Sequence, residues 1–198
     1  KKNEVDKKYY KYFDGRPNIF IIFIIKSLEL LNKNGILCFI LPKNFLNCLY
    51  YNNTRKYINE NFNIIDIIEC NDNYIETQQE TITIYIQNKK PENNKFFIIN
   101  IDNFTIFGIK DNITKIKSHY NNSKSLHNQG FKVSVGSIVW NQHKDLLTND
   151  KNKTRLIYCS DISDNKLHIK NFNNPEKKNF INKKGTKDIC LIINRGYG

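Results

Sequence analysis

The stretch GILCFILPKNFLNCLYYNNTRKYI, residues 35–58, decides the fold. Seven uncharged residues run into Pro42, and Lys43 and Asn44 follow at once. ILCFIL (residues 36–41) lacks alternation, which predicts a fully buried strand of the central, parallel kind. Pro42 ends it, and Asn44 can cap a following helix that carries Phe45, Leu46, Leu49, Tyr50 and Ile58.

The flanks extend this pattern in both directions. Upstream, apolar residues run continuously and then become spaced across residues 17–31. Pro17 suits the first turn of a helix, and Gly35 suits the turn beyond its end. Residues 1–14, charged and aromatic, read as a loop or a poorly ordered lead-in. Downstream, NIIDIIE (63–69) reads as a strand, and ETITIYIQ (80–87) alternates threonine with isoleucine. KFFIINI (95–101) reads as a further strand, with residues 89–94 as its hairpin turn. The order is helix, strand, helix, strand, then antiparallel strands. It predicts an α/β fold: the second half of a doubly wound sheet, closed by an antiparallel hairpin. In open sheets of this class the ligand cleft lies at the C-terminal ends of the strands. Pro42, Lys43 and Asn44 sit at that edge. Residues 110–130 hold a weak amphipathic helix and a polar linker. Residues 131–198 alternate short apolar runs with polar loops, which predicts a small β-rich domain.

Composition narrows the function classes. The chain has 198 residues and a formal net charge of +12, with no alanine and abundant asparagine and isoleucine. Residues 1–100 carry a net +3 and residues 101–198 a net +9. A cationic second half attracts polyanions, of which nucleic acid is the commonest, or simply keeps the chain soluble. The five cysteines are odd in number and none has CxxC spacing, which excludes a zinc knuckle and a disulfide framework. They fit a reducing, cytoplasmic compartment. The run IFIIFII is too short to span a bilayer. His127 and His143 lack ligand partners at useful spacing, so no metal site is expected.

Four segments carry a family resemblance: NIFIIFIIKSLELLNKNGILCFILPKNFL, TRKYI, IIDIIECNDNYIETQQETITIYI, and VSVGSIVWNQHKDLLTNDKNKTRLIYCSDI with DICLIINRG beyond it. Together they resemble the adenine-specific (N6) amino-DNA methyltransferases of restriction–modification systems whose target-recognition domain follows the catalytic one. Where many members have two adjacent glycines, this chain has NKNG. The resemblance implies that residues 1–109 are the C-terminal half of a Rossmann-like methyltransferase catalytic domain. Residues 110–130 would be a linker, and residues 131–198 a partial target-recognition domain. It implies S-adenosyl-L-methionine as donor and double-stranded DNA as partner, alongside a fused or separate restriction endonuclease. The Asn-Pro-Pro-Tyr-type motif and the donor site would lie upstream of Lys1, leaving no catalytic residue here and an inactive chain in isolation. Rival readings are a non-catalytic DNA-binding or specificity fragment and a methyltransferase-like protein directed at RNA.

Base chemistry inside a duplex requires the base to be flipped out and held against aromatic rings. The resemblance gives that role to Tyr74, which otherwise packs on the cleft rim. Lys43 either meets a phosphate or is solvated. Arg55 contacts DNA, pairs with an acidic side chain, or forms a helix-surface salt bridge. Trp140, Asn141, Gln142, His143 and Lys144 place an indole, two amides, an imidazole and an ammonium together. Asparagine and glutamine read adenine, and lysine or arginine reads guanine. That group suits base readout or a flexible loop near DNA, against a packed tryptophan with exposed polar neighbours. Arg195 is a second candidate contact. Lys177, Lys178, Lys183, Lys184 and Lys187 supply phosphate-positioning charge.

If Tyr74 stacks on the base, Tyr74→Phe is mild and Tyr74→Ala loses about 1–3 kcal/mol of transition-state binding. Steady-state methylation of a cognate duplex by the intact enzyme measures both. Equal rates for the Ala variant and the parent would remove the stacking role.

Overall fold

The computed structural model describes residues 5–13, 15, 18–70 and 79–194. They form two compact units, Lys1–Gln129 and Gly130–Gly198.

In the first unit, helix α1 spans Ile19–Glu29, and the Asn18 side chain caps it by accepting the Phe20 N–H at 2.9 Å. Asn88 closes its other end, donating from its side chain to the Leu31 carbonyl at 2.8 Å. Asn34 takes the left-handed conformation that turns the chain into strand β1, Ile36–Pro42. Gly35 is needed for closeness instead: a Cβ there would lie 2.9 Å from the Asn32 carbonyl oxygen.

Helix α2 begins only at Asn52 and runs to Asn61, after two short 3-10 turns at Lys43–Leu46 and Leu49–Tyr51. The Asn44 side chain makes no cap, which corrects the expected helix start. The reason lies one turn into α2. The Arg55 guanidinium donates to the carbonyls of Phe45 (2.9 Å) and Cys48 (2.8 Å), holding this segment out of a regular α-helix.

Strand β2 (Asn63–Cys70) and strand β3 (Thr81–Gln87) complete a sheet of order β1-β3-β2. β3 is antiparallel to both neighbours, so β1 and β2 run parallel with β3 between them. One face is the core. Leu37, Phe39 and Leu41 alternate with outward residues on β1, and Ile82, Ile84 and Ile86 do so on β3. They pack under Ile24 and Leu28 of α1 and Ile58 of α2. The other face and the outer edge of β1 have no cover among the described residues. Ile36 is 59% and Ile40 63% exposed. β1 is therefore an edge strand here, not the fully buried strand its composition predicts.

Two further expectations are corrected. Residues 7–12 form a packed 3-10 turn, with Tyr9, Tyr12 and Phe13 buried against Ile21 and Ile25 of α1. The aromatic rings that make the segment look loop-like are its anchors. Strand β4 (Ile98–Ile101) pairs with β5 (Phe104–Phe107), not with β3. The β3–β4 connection cannot close a hairpin because asparagines bind it to α2 and β2. The Asn63 side chain accepts the N–H groups of Glu92 and Asn93, each at 3.0 Å. Asn94 accepts the Ile64 N–H at 2.7 Å and donates to the Phe62 carbonyl at 2.9 Å. Helix α3, Lys110–Asn121, follows and buries Ile113.

The second unit is built mainly from loops and two-residue strands. β10 (Phe180–Ile181) lies between β6 (Leu147–Thr148) and β7 (Thr154–Arg155), and β8 (Ile162–Ser163) pairs with β9 (Lys166–Leu167). The segments FKVSVGSIV and DICLIIN form no strand among the described residues. Their backbone pairs with no strand among the described residues, although the Asn194 side chain donates to the Ile162 carbonyl at 3.0 Å, and Val135, Ile189 and Leu191 stand exposed.

Arg55 is 0% exposed, and its Nε also donates to the Thr105 carbonyl of β5 at 2.5 Å. Removing it strands three carbonyls at once. Arg55→Met should destabilise the chain by about 2–4 kcal/mol, and Arg55→Lys should recover only part, because a point ammonium cannot span all three. Urea unfolding followed by far-UV circular dichroism measures this. A Met variant within about 0.5 kcal/mol of the parent would remove Arg55 from this role.

Candidate functional site

The parallel course of β1 and β2 brings their C-terminal ends to the same edge of the sheet. Pro42 and Cys70 both lie opposite Thr81, the first residue of β3. Lys43 stands directly beyond β1, and its backbone N–H donates to the Glu80 carbonyl at 2.9 Å. Its ammonium meets Glu80 Oε2 at 3.2 Å and Glu69 Oε2 at 3.3 Å. Hydrogen bonding to Glu80, then to Glu69, holds the ammonium above the ordinary lysine value despite some desolvation. Lys43 thus ties the end of β2 and the approach to β3 onto the end of β1. One cation faces two carboxylates, so this point is locally acidic and a poor seat for a phosphate. Asn44 is exposed beside it, and Pro42 is half-buried. Cys70 Sγ and Thr83 Oγ1 lie 3.2 Å apart.

Tyr74, the expected stacking residue, lies outside the described residues, as does Arg195. Arg55 matches none of its three expected roles. Its guanidinium is sunk among backbone carbonyls, and burial lowers its pKa to about 10. Its Nη2 has no hydrogen-bond partner among the described residues.

In the second unit, Trp140–Gln142 form one 3-10 turn. Asn141 and Gln142 are exposed, Trp140 is half-buried, and His143 Nδ1 lies 3.0 Å from the Val139 carbonyl. Lys144 is ion-paired with Glu176 at 2.6 Å. Lys177 does not project freely: its Nζ lies 3.8 Å from the Phe172 ring centroid, 4.4 Å from that of Tyr158 and 5.9 Å from that of Trp140. Lys183, Lys184 and Lys187 are exposed, and the Lys183 carbonyl accepts from the Thr154 hydroxyl at 2.5 Å. Gly185 suits the close approach there, since a Cβ would run into Thr154 Cγ2.

The residue that sequence reasoning missed is Asp161. It is fully buried, and its carboxylate accepts the N–H groups of Tyr158 (2.9 Å) and Lys170 (3.2 Å). Its own carbonyl accepts the His168 N–H at 2.6 Å. The Tyr158 hydroxyl donates to the Lys178 carbonyl at 2.7 Å, so that ring is held at both ends. The only sequence signal was an aspartate three residues after an aromatic one, a pair that occurs once in the chain and has no charged partner beside it to mark it as buried.

Among the described residues, no group of three His, Cys, Asp or Glu side chains could hold a metal ion. None of their helices is long and apolar enough to cross a membrane. Residues 1–75 match the family described as Eco57I restriction-modification methylase. That span contains α1, β1, α2 and β2, the elements that build the sheet edge. Residues 1–75, less than half of the chain, are thus similar to restriction-modification methylases. No curated protein matches the chain.

Asp161→Ala leaves the buried Tyr158 N–H and the part-buried Lys170 N–H without acceptors and should cost about 1–3 kcal/mol in the second unit. Trp140 is the only tryptophan. Its emission during urea unfolding therefore reports this unit, and an unchanged midpoint would contradict the role.

Proposed function

We propose that this chain contributes the later part of an enzyme that transfers a methyl group from S-adenosylmethionine to adenine N6 in double-stranded DNA. The carrying observation is the restriction-modification methylase match over residues 1–75. The topology supports it. β3 runs antiparallel between parallel β1 and β2, with α1 and α2 packed on one face. This arrangement suits the closing side of a Rossmann-like sheet, whose donor-binding half would add strands to the free edge of β1 and cover the open face. In this reading the second unit is part of a target-recognition domain. The exposed Asn141 and Gln142 face base edges, and Lys183, Lys184 and Lys187 meet phosphates.

The described residues do not form a donor site. Gly35, the glycine nearest β1, precedes its first strand residue, at the end away from Lys43, and the C-terminal edge presents Lys43 with two carboxylates. What this chain would supply is placement. The recognition surface would hold the duplex so that the adenine amine is presented to the donor, and orientation of that kind accounts for much of a transfer reaction's acceleration.

Incubation with labelled donor, followed by mass spectrometry of digested nucleic acid, tests the reading. The chain alone should transfer no label, and the enzyme that includes it together with a donor-binding half should yield N6-methyladenine in DNA. Transfer by the chain alone would overturn the division of the fold. Label in N4-methylcytosine, or in RNA only, would overturn the target.

A further inference from the structure

Lys177 is one of seventeen lysines and arginines in residues 101–198, and composition alone would assign it to phosphate contact. Its surroundings argue otherwise. The ammonium sits over three rings, close to Phe172 and Tyr158 and at the limit of cation–π range from Trp140. Tyr158 and Phe172 meet edge to face, with centroids 4.8 Å apart and planes at 67°, so they form two walls of one corner. The corner is built rather than incidental. Tyr158 is anchored through its N–H to the buried Asp161 and through its hydroxyl to the Lys178 carbonyl. The preceding residue, Glu176, holds Lys144 at 2.6 Å. Two consecutive residues, Glu176 and Lys177, therefore grip both ends of the segment from Trp140 to Lys144. Between those grips lie Asn141 and Gln142, exposed.

We propose that Lys177 is a positioning residue, which clasps the Trp140 turn through the Trp140–Tyr158–Phe172 rings so that Asn141 and Gln142 are presented as a rigid base-reading pair. The inference rests on the proposed DNA-facing role of the second unit. Bidentate reading of adenine by an amide needs a fixed side-chain origin, and a turn held at both ends provides one. Charge on the rings is not charge on a phosphate: an ammonium held in this corner contributes little to counterion release. Lys183, Lys184 and Lys187 remain free to do so.

The test uses the full chain as parent, Lys177→Gln and Lys177→Arg. Arginine keeps a cation over the rings, and glutamine does not. The first readout needs no DNA. The emission of Trp140, the only tryptophan, should shift to the red in the Gln variant and return in the Arg variant. The second is the slope of log affinity against log salt for a random-sequence duplex. It should be unchanged in Lys177→Gln, whereas loss of a phosphate contact would lower its magnitude by about 0.9. The third is the ratio of affinities for an adenine-rich duplex and a dG·dC duplex. It should fall several-fold towards unity in Lys177→Gln and persist in Lys177→Arg.

Unchanged Trp140 emission in the Gln variant, or a slope reduced by about 0.9, would overturn the clasp. If the parent shows no salt-dependent duplex binding, the DNA-facing reading of the unit fails, and the emission series still decides whether Lys177 holds the turn.

Discussion

A buried guanidinium with no acidic partner among the described residues organises the first unit. Arg55 is fully enclosed, and its desolvation is large enough to bring its pKa to about 10. A charge in such a place persists only where dipoles answer it. Here the answer comes from carbonyls of Phe45 and Cys48, on the segment after β1, and of Thr105, on β5. Each piece is shaped by that demand. The segment after β1 turns as 3-10 instead of α, α2 starts late, and β5 is drawn onto α2. Asn52 reinforces the last contact: it accepts the Thr105 N–H at 2.9 Å and donates to the Asn103 carbonyl at 3.1 Å. A helix-surface arginine would have left the end of β1 free to wander. A buried one fixes where Lys43 emerges at the end of β1.

The periodic elements were legible because their signal is local. Helix α1 and strands β1, β2 and β3 lie within two residues of where apolar spacing, Pro17, Gly35 and Pro42 place them. What escaped was carried by polar residues acting at long range. Asparagine is so common in this chain that its presence carries almost no information, yet Asn52, Asn63 and Asn94 are buried and each binds backbone far away in sequence. The chain between β3 and β4 looks like a hairpin turn from composition. Asn63 and Asn94 make it a strap across the start of β2, and β4 is then free to pair with β5. Pattern reading finds which face a residue takes. It does not find the carbonyl on another segment that satisfies the residue.

The same distinction applies to the candidate site. Net charge drew attention to the second half of the chain, and the aromatic-amide group around Trp140 was visible as a cluster. The pairing of each cation was not visible. Lys43 carries a charge that two carboxylates already claim, Lys144 is claimed by Glu176, and Lys177 by rings. A lysine count treats all of these as available to a polyanion. The structure divides them into cations that hold the protein together and cations left for a partner, and Lys183, Lys184 and Lys187 belong to the second group by their exposure.

The open side of the sheet follows from the same physics. A sheet buries its apolar face against another layer, and a strand edge is normally paired, charged or covered. β1 satisfies neither condition on its outer side. It carries no charged residue, and Ile36, Cys38 and Ile40 point away from the helices into the uncovered face, joined across β3 by Ile68 of β2. Burying side chains of this kind contributes about 1.5–3 kcal/mol each. The inner face, with its closely packed isoleucines under α1 and α2, shows what a satisfied layer looks like in this chain. The outer face has the composition of a layer and lacks the second half of one. That asymmetry is why the sheet supports a reading in which further strands and helices complete it.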